Sequence, residues 1–181
     1  MSEQSAPPQE RGKNGARQQG VGKRRRAREM ALQMLYQLEL GGSEPLEVFA
    51  AFDVVGYGEG EAEDEEVVPT LSPRQRRLSR EAFDYARRLV EGSLEDGDSI
   101  DDLIRTYAEN WRLERMPAID RNILRLAVYE MLHESSVPKV VIVDEAIELA
   151  KKFGSENSGR FVNGLLDGIL QGQEATAVER G

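Results

Sequence analysis

The chain has 181 residues, 39% of them hydrophobic, with no cysteine, one histidine and a formal net charge of −9. Its length suits one domain of ordinary size or two small subdomains. The composition excludes disulfides, Cys-ligated zinc, thiol nucleophiles and multi-histidine metal sites, and no run approaches the roughly 20 apolar residues of a bilayer span.

The N-terminus has no apolar core of a secretory signal, so a cytoplasmic protein without metal or cofactor is expected. Charge is distributed unevenly. Residues 1–30 carry eight Lys or Arg against Glu3, Glu10 and Glu29, a local +5 that leaves −14 on the remainder. A basic end on an acidic body points to a polyanion contact confined to that end.

Residues 1–21 contain no Leu, Ile, Phe, Tyr or Trp and are rich in Gln, Gly, Ala and Pro, a composition that predicts disorder. Gly22–Leu40 follows as an arginine block running into an amphipathic helix. Its apolar positions Ala27, Met30, Ala31, Met34, Leu35 and Leu38 recur at the spacing of one buried face. Lys23, Arg24, Arg25, Arg26 and Arg28 crowd what reads as the N-terminal end, where the helix dipole is already positive and an anionic ligand would relieve the conflict. Gly41-Gly42 stops this helix, and a short one is predicted from Pro45.

Residues 53–71 read as a solvated acidic loop, with six acids in Glu59–Glu66. Ser72-Pro73-Arg74-Gln75 then starts a helix with an N-cap, a proline in the first turn and a capping-box glutamine. Its stripe of Leu78, Ala82, Tyr85, Ala86 and Leu89 ends at Glu95-Asp96-Gly97. Ser99 to Asp102 has capping-box spacing, and the helix it opens is expected to bury Ile100, Leu103, Ile104, Tyr107 and Trp111. Pro117 begins a helix to about His133 whose apolar residues cover more than half its circumference, the mark of a central helix. His133 reads as a partner of that helix's C-terminal dipole rather than a catalytic base.

Val140–Val143 is predicted to be an extended entry into a helix from Asp144 to Phe153. A tight link over Ser155–Gly159 leads to the last helix, about Ser158 to Leu170, where Gly164 and Gly168 would admit a close neighbour. The tail from residue 171 to 181 is expected to be disordered. Seven helical segments and no sheet predict an all-α helical bundle.

No phosphate-binding loop, nucleophile elbow or dinucleotide fingerprint is present, so an enzyme is not expected. Arginines supply phosphate contacts and guanidinium planes. Phe153 and Phe161 flank a polar turn that also carries Lys151, Lys152, Asn157 and Arg160. Aromatic faces beside polar and cationic side chains are what recognition of unpaired RNA bases requires.

Three blocks carry a family resemblance: RRRARE-x-ALQ-x-LYQ-x-EL, DRNILRLAVYEML and VDEAIELAKKFGSENSGRFVNGLLDGIL. Across about residues 22–170 the chain resembles the NusB family of bacterial transcription antitermination factors. The resemblance implies two packed three-helix subdomains with a connecting helix. It also implies a non-catalytic role: binding boxA RNA together with NusE, a ribosomal small-subunit protein, so that RNA polymerase reads through terminators, notably in ribosomal RNA operons.

By motif position the resemblance places RNA contacts on Arg24, Arg25, Arg26 and Arg28, with Asn157, Arg160 and Phe161 in the second region, which Lys151 and Lys152 join from the composition of the turn. NusE contacts fall on Glu114 and Asp120, with Tyr36 nearby, and a homodimer is an expected state when NusE is absent. Relatives often carry an acid where this chain has Asn157, so a neutral side chain there predicts RNA affinity no weaker than the family's. The acidic loop and the extended N-terminal tail depart from the family pattern. Two other readings are a helical protein–protein scaffold and the NusB-like front domain of an RNA methyltransferase. The latter needs a following α/β domain that the 181 residues do not supply.

Overall fold

The computed structural model of the chain describes residues 11–54, 72–108 and 111–179. Within them lie seven α-helices: α1 (Arg11–Gly41), α2 (Pro45–Ala51), α3 (Pro73–Glu95), α4 (Gly97–Tyr107), α5 (Ala118–His133), α6 (Lys139–Phe153) and α7 (Ser158–Glu179). A 3-10 turn, Leu113–Arg115, precedes α5, and no strand occurs among the described residues. The all-α architecture is the expected one.

Two three-helix groups share one core. In the first, α1 packs along α3, with α2 against α1; in the second, α6 packs along α7 and on α5. Helix α4 connects them, resting on α5 and α7. Helix α5 touches α1, α3, α4, α6 and α7, and buries Ile123, Leu124, Leu126, Ala127, Val128 and Met131. Its nearly all-round apolar surface therefore follows from its central place. The close approach of α3 to α5 depends on Gly92, where a Cβ would stand 2.1 Å from the Tyr129 ring.

Several boundaries differ from the sequence reading. Helix α1 begins at Arg11, not Gly22, and residues 1–10 of the expected tail lie outside the described residues. The arginine block is consequently mid-helix, and the dipole conflict disappears because that field fades within the first turn. At the other end, α7 runs on to Glu179 past the expected stop at Leu170. The acidic cluster at 59–66 lies outside the described residues.

The run Val140–Val143 is the helical start of α6, because Ile142 and Val143 join Ala146, Leu149 and Ala150 on its buried stripe. Tertiary burial overrides the β preference of branched residues here. Helix α4 starts at Gly97, sharing Asp96 with the end of α3 and using no side-chain cap. It stops at Tyr107, which leaves Trp111 outside the core at 59% exposure. Gly164 faces open space, whereas Gly168 and Gly172 receive the Tyr107 ring.

The expected caps hold elsewhere. Ser72 Oγ accepts from the Gln75 amide at 3.3 Å while Gln75 Oε1 accepts from the Ser72 amide at 2.8 Å. Gly42 ends α1 with a φ of 62°, the left-handed conformation that favours glycine.

Candidate nucleic-acid and partner interfaces

The basic segment of α1 and the turn between α6 and α7 are separated by more than a hundred residues in sequence, and the fold sets them side by side. Three cross-helix ion pairs do this. Arg25 donates to both oxygens of Glu145 at 3.0 and 2.7 Å. Arg28 Nη1 lies 3.7 Å from Glu145 as well, and Lys152 donates to Glu29 at 3.1 Å. Glu145 and Lys152 belong to α6, so each pair joins α1 to the helix that leads into the turn.

The four arginines have different fates because successive residues of a helix point in different directions. Arg24 donates to Ser136 Oγ at 3.2 Å and lies 5.9 Å from the centroid of the Tyr85 ring. Arg25 stays half exposed, and its hydrogen bond to the Glu145 carboxylate raises its pKa above the ordinary guanidinium value. Arg26, partly exposed, has no ion-pair or hydrogen-bond partner among the described residues.

Arg28 is different. Its guanidinium is 3% exposed and forks onto both oxygens of Glu130 of α5, at 2.7 and 2.8 Å. Tyr85 of α3 donates to the same carboxylate at 2.7 Å. Burial alone would lower the Arg28 pKa, but the hydrogen bond and charge of Glu130 outweigh it and the net direction is upward. Arg28 thus sits in a buried network joining α1, α3 and α5 and is not presented on the surface. Spacing in the sequence could have shown this, since Arg28 falls between Ala27, Ala31 and Leu35 on the buried stripe.

On the second segment, Lys151 pairs with Glu148 at 2.8 Å, and Asn157 and Arg160 are exposed. Ser158 holds the turn by accepting from the Ser155 amide at 2.8 Å, next to Gly154, where a Cβ would meet Ser158 and the Ala150 carbonyl. Phe161 is half buried, and its ring meets Trp111 edge-on with centroids 5.6 Å apart. Phe153 is 38% exposed with Lys152 Nζ 5.2 Å from its ring centroid.

A separate apolar surface lies around Tyr36, itself 38% exposed. A cavity of about 180 Å³ is lined by Leu32, Gln33, Tyr36, Ile119 and Phe153 with Glu29 at its edge. A second groove of about 490 Å³ runs from Tyr36 past Leu40 to Val48 and Ala51 of α2. Asp120, beside Ile119 in the first turn of α5, is 4% exposed, and its Oδ1 makes no hydrogen bond. Glu114 does not join this patch: it is exposed on the 3-10 turn and accepts from Arg105 at 3.2 Å. That hydrogen bond, after one from its own backbone, holds the Glu114 carboxyl below its ordinary pKa.

No group of three or more His, Asp or Glu able to hold a metal ion occurs among the described residues. His133 ends α5 with Nε2 2.6 Å from Asp96 and its ring 4.7 Å from that of Tyr129. No described helix is long and apolar enough to cross a membrane.

Residues 25–171 match the model of the NusB family. The transcription antitermination protein NusB of Symbiobacterium thermophilum is 44% identical over 154 residues, covering 85% of this chain and 93% of its own. That of Sorangium cellulosum is 43% identical over 153 residues, covering 83% and 94%. Among solved structures, Thermotoga maritima NusB superposes with a TM-score of 0.61 at 38% identity, covering 82% of this chain and 90% of that one. A complex of antitermination factors NusB and NusE with double-stranded RNA superposes with a TM-score of 0.61 at 27% identity, covering 83% and 97%.

Proposed function

The chain belongs to the NusB family of transcription antitermination proteins, and we propose that it is a non-catalytic, cytoplasmic subunit that binds boxA RNA jointly with NusE. In that role it promotes read-through by RNA polymerase, notably in ribosomal RNA operons. The observation that carries this reading is the junction of α1 with the α6–α7 turn through Arg25–Glu145 and Lys152–Glu29. It makes one surface of two segments that bring different chemistry: guanidinium groups for phosphates, and a ring, an amide and further cations for unpaired bases.

Within that surface Arg24, Arg25, Arg26 and Arg160 are assigned to phosphates, with Lys151 and Lys152 adding charge. Asn157 supplies base-edge hydrogen bonds and Phe161 a ring. Arg28 supports the surface from below through Glu130. Domain organisation follows the same division: residues 22–170 form the RNA- and NusE-binding body, to which the remaining termini are appended.

The NusE surface is assigned to Tyr36 and the cavity it shares with Leu32, Ile119 and Phe153. Asp120, which follows Ile119 in sequence, is kept in this assignment, with its Oδ1 buried and without a hydrogen bond. The experiment is co-purification with NusE. Wild-type chain should retain NusE, and Tyr36→Ala should lose most of it at unchanged melting temperature. Equal retention by both would reject this assignment.

A further inference from the structure

The chain has a single tryptophan, and the fold leaves it in solvent. Tryptophan is ordinarily well buried because no side chain offers more apolar area to the core. Trp111 is nonetheless 59% exposed, although Ile104 and Leu113 nearby in sequence are sealed. Its position is nevertheless fixed. The Trp111 amide donates to the Ala108 carbonyl at the end of α4, and its ring rests edge-on against Phe161.

The placement follows from how α4 meets α7. Tyr107 packs at Gly168 and Gly172, toward the later turns of α7. Trp111 meets Phe161 in its first turn. Tyr107 and Trp111 thus meet successively earlier turns of α7, at whose N-terminal end Asn157 and Arg160 are exposed. Arg112 follows Trp111 and Arg160 precedes Phe161, and both arginines are exposed. An exposed ring held in an edge contact with a second ring, with an exposed arginine next to each in sequence on an otherwise acidic protein, suits an unpaired base attached to a phosphate chain. A protein partner's apolar patch would not call for the flanking cations.

We propose that Trp111 is a stacking platform for one unpaired base of the bound RNA, held in place by Phe161 and extending the RNA surface from the α6–α7 turn onto the Trp111 ring. This rests on the RNA-binding reading above, and the test separates the two. Full-length chain is titrated with boxA-containing single-stranded RNA while RNA anisotropy and tryptophan emission are recorded together. Because Trp111 is the sole tryptophan, its emission reports this site alone.

The expected result is quenching that saturates at the same RNA concentration as anisotropy. Trp111→Ala should weaken binding roughly 5- to 150-fold, as base–aromatic stacking does on alanine substitution. Trp111→Phe should recover most of that loss, and both variants should keep the wild-type helical circular dichroism at the temperature of the titration. RNA binding with unchanged emission and full affinity of Trp111→Ala would overturn the platform while leaving the RNA reading intact. Emission that responds to NusE but not to RNA would also overturn it. No RNA binding by anisotropy would overturn both.

Discussion

Arg28 and Glu130 form a two-pronged ion pair in the interior, with side-chain exposures of 4% and 1%. Such a pair contributes little net stability compared with well-packed apolar residues, but removing one partner strands the other charge. Arg28→Ala or Glu130→Ala is therefore expected to cost about 3–5 kcal/mol, measured by urea unfolding. Arg28→Met combined with Glu130→Leu should cost less than either single change. A double variant as unstable as the sum of the singles would contradict this account.

The same network sets an alkaline limit. Burial, followed by the adjacent Glu130 charge, raises the Tyr85 pKa well above the ordinary 10.0. With the folded value above the unfolded one, the native state holds its proton longer. Tyr85 therefore contributes stability that is fully present below pH 10.0 and is lost as pH rises beyond it. Tyr85→Phe should flatten the fall in melting temperature above that pH while lowering stability at neutrality. An unchanged alkaline slope would rule out Tyr85 as its source.

Arg25 and Arg26 adjoin in sequence but should separate in effect. Arg26 has no partner among the described residues, whereas Arg25 grips Glu145 at 2.7 Å. Arg26→Ala is expected to weaken RNA binding and reduce the steepness of its log–log salt dependence by about 0.7, with no change in melting temperature. Arg25→Ala should lower affinity and also cost stability, because it leaves Glu145, 7% exposed, short of a partner. Identical behaviour of the two variants would show that the α1–α6 junction is not organised as described.

Asn157 permits a charge test at an exposed position. Asn157→Asp places a carboxylate beside the proposed phosphate path, so RNA affinity should fall several-fold at low salt and the loss should shrink as salt rises. Gain of affinity, or a loss independent of salt, would remove Asn157 from the interface.

Much of this architecture is legible in the periodicity of the apolar residues. The stripes of α1, α3 and α5 are written at 3.6-residue spacing, and the Ser72–Gln75 capping box marks the start of α3 to the residue. Boundaries were hidden where tertiary contacts decide them. Val140 and Val141, 62% and 40% exposed, carry strand propensity, yet Ile142 and Val143 beside them are buried and draw the run into α6.

The site was legible in part. The arginines and the turn could be named, but not which arginine turns inward, because that depends on Glu130 and Tyr85 arriving from two other helices. Helical spacing alone puts Trp111 in the core, since nothing local shows that α4 ends at Tyr107. Asp120 likewise reads as an ordinary first-turn acid, and its burial emerges only from the packing around α5.

The most direct test of the central claim is an RNA titration of the purified complex of this chain with NusE, comparing boxA-containing single-stranded RNA with a scrambled strand of equal length and composition at fixed, near-physiological salt. The account predicts tighter binding of the boxA strand, and loss of that preference when Asn157 and Phe161 are both replaced by alanine. Equal affinity for the two strands, or a preference that survives the double replacement, would contradict it.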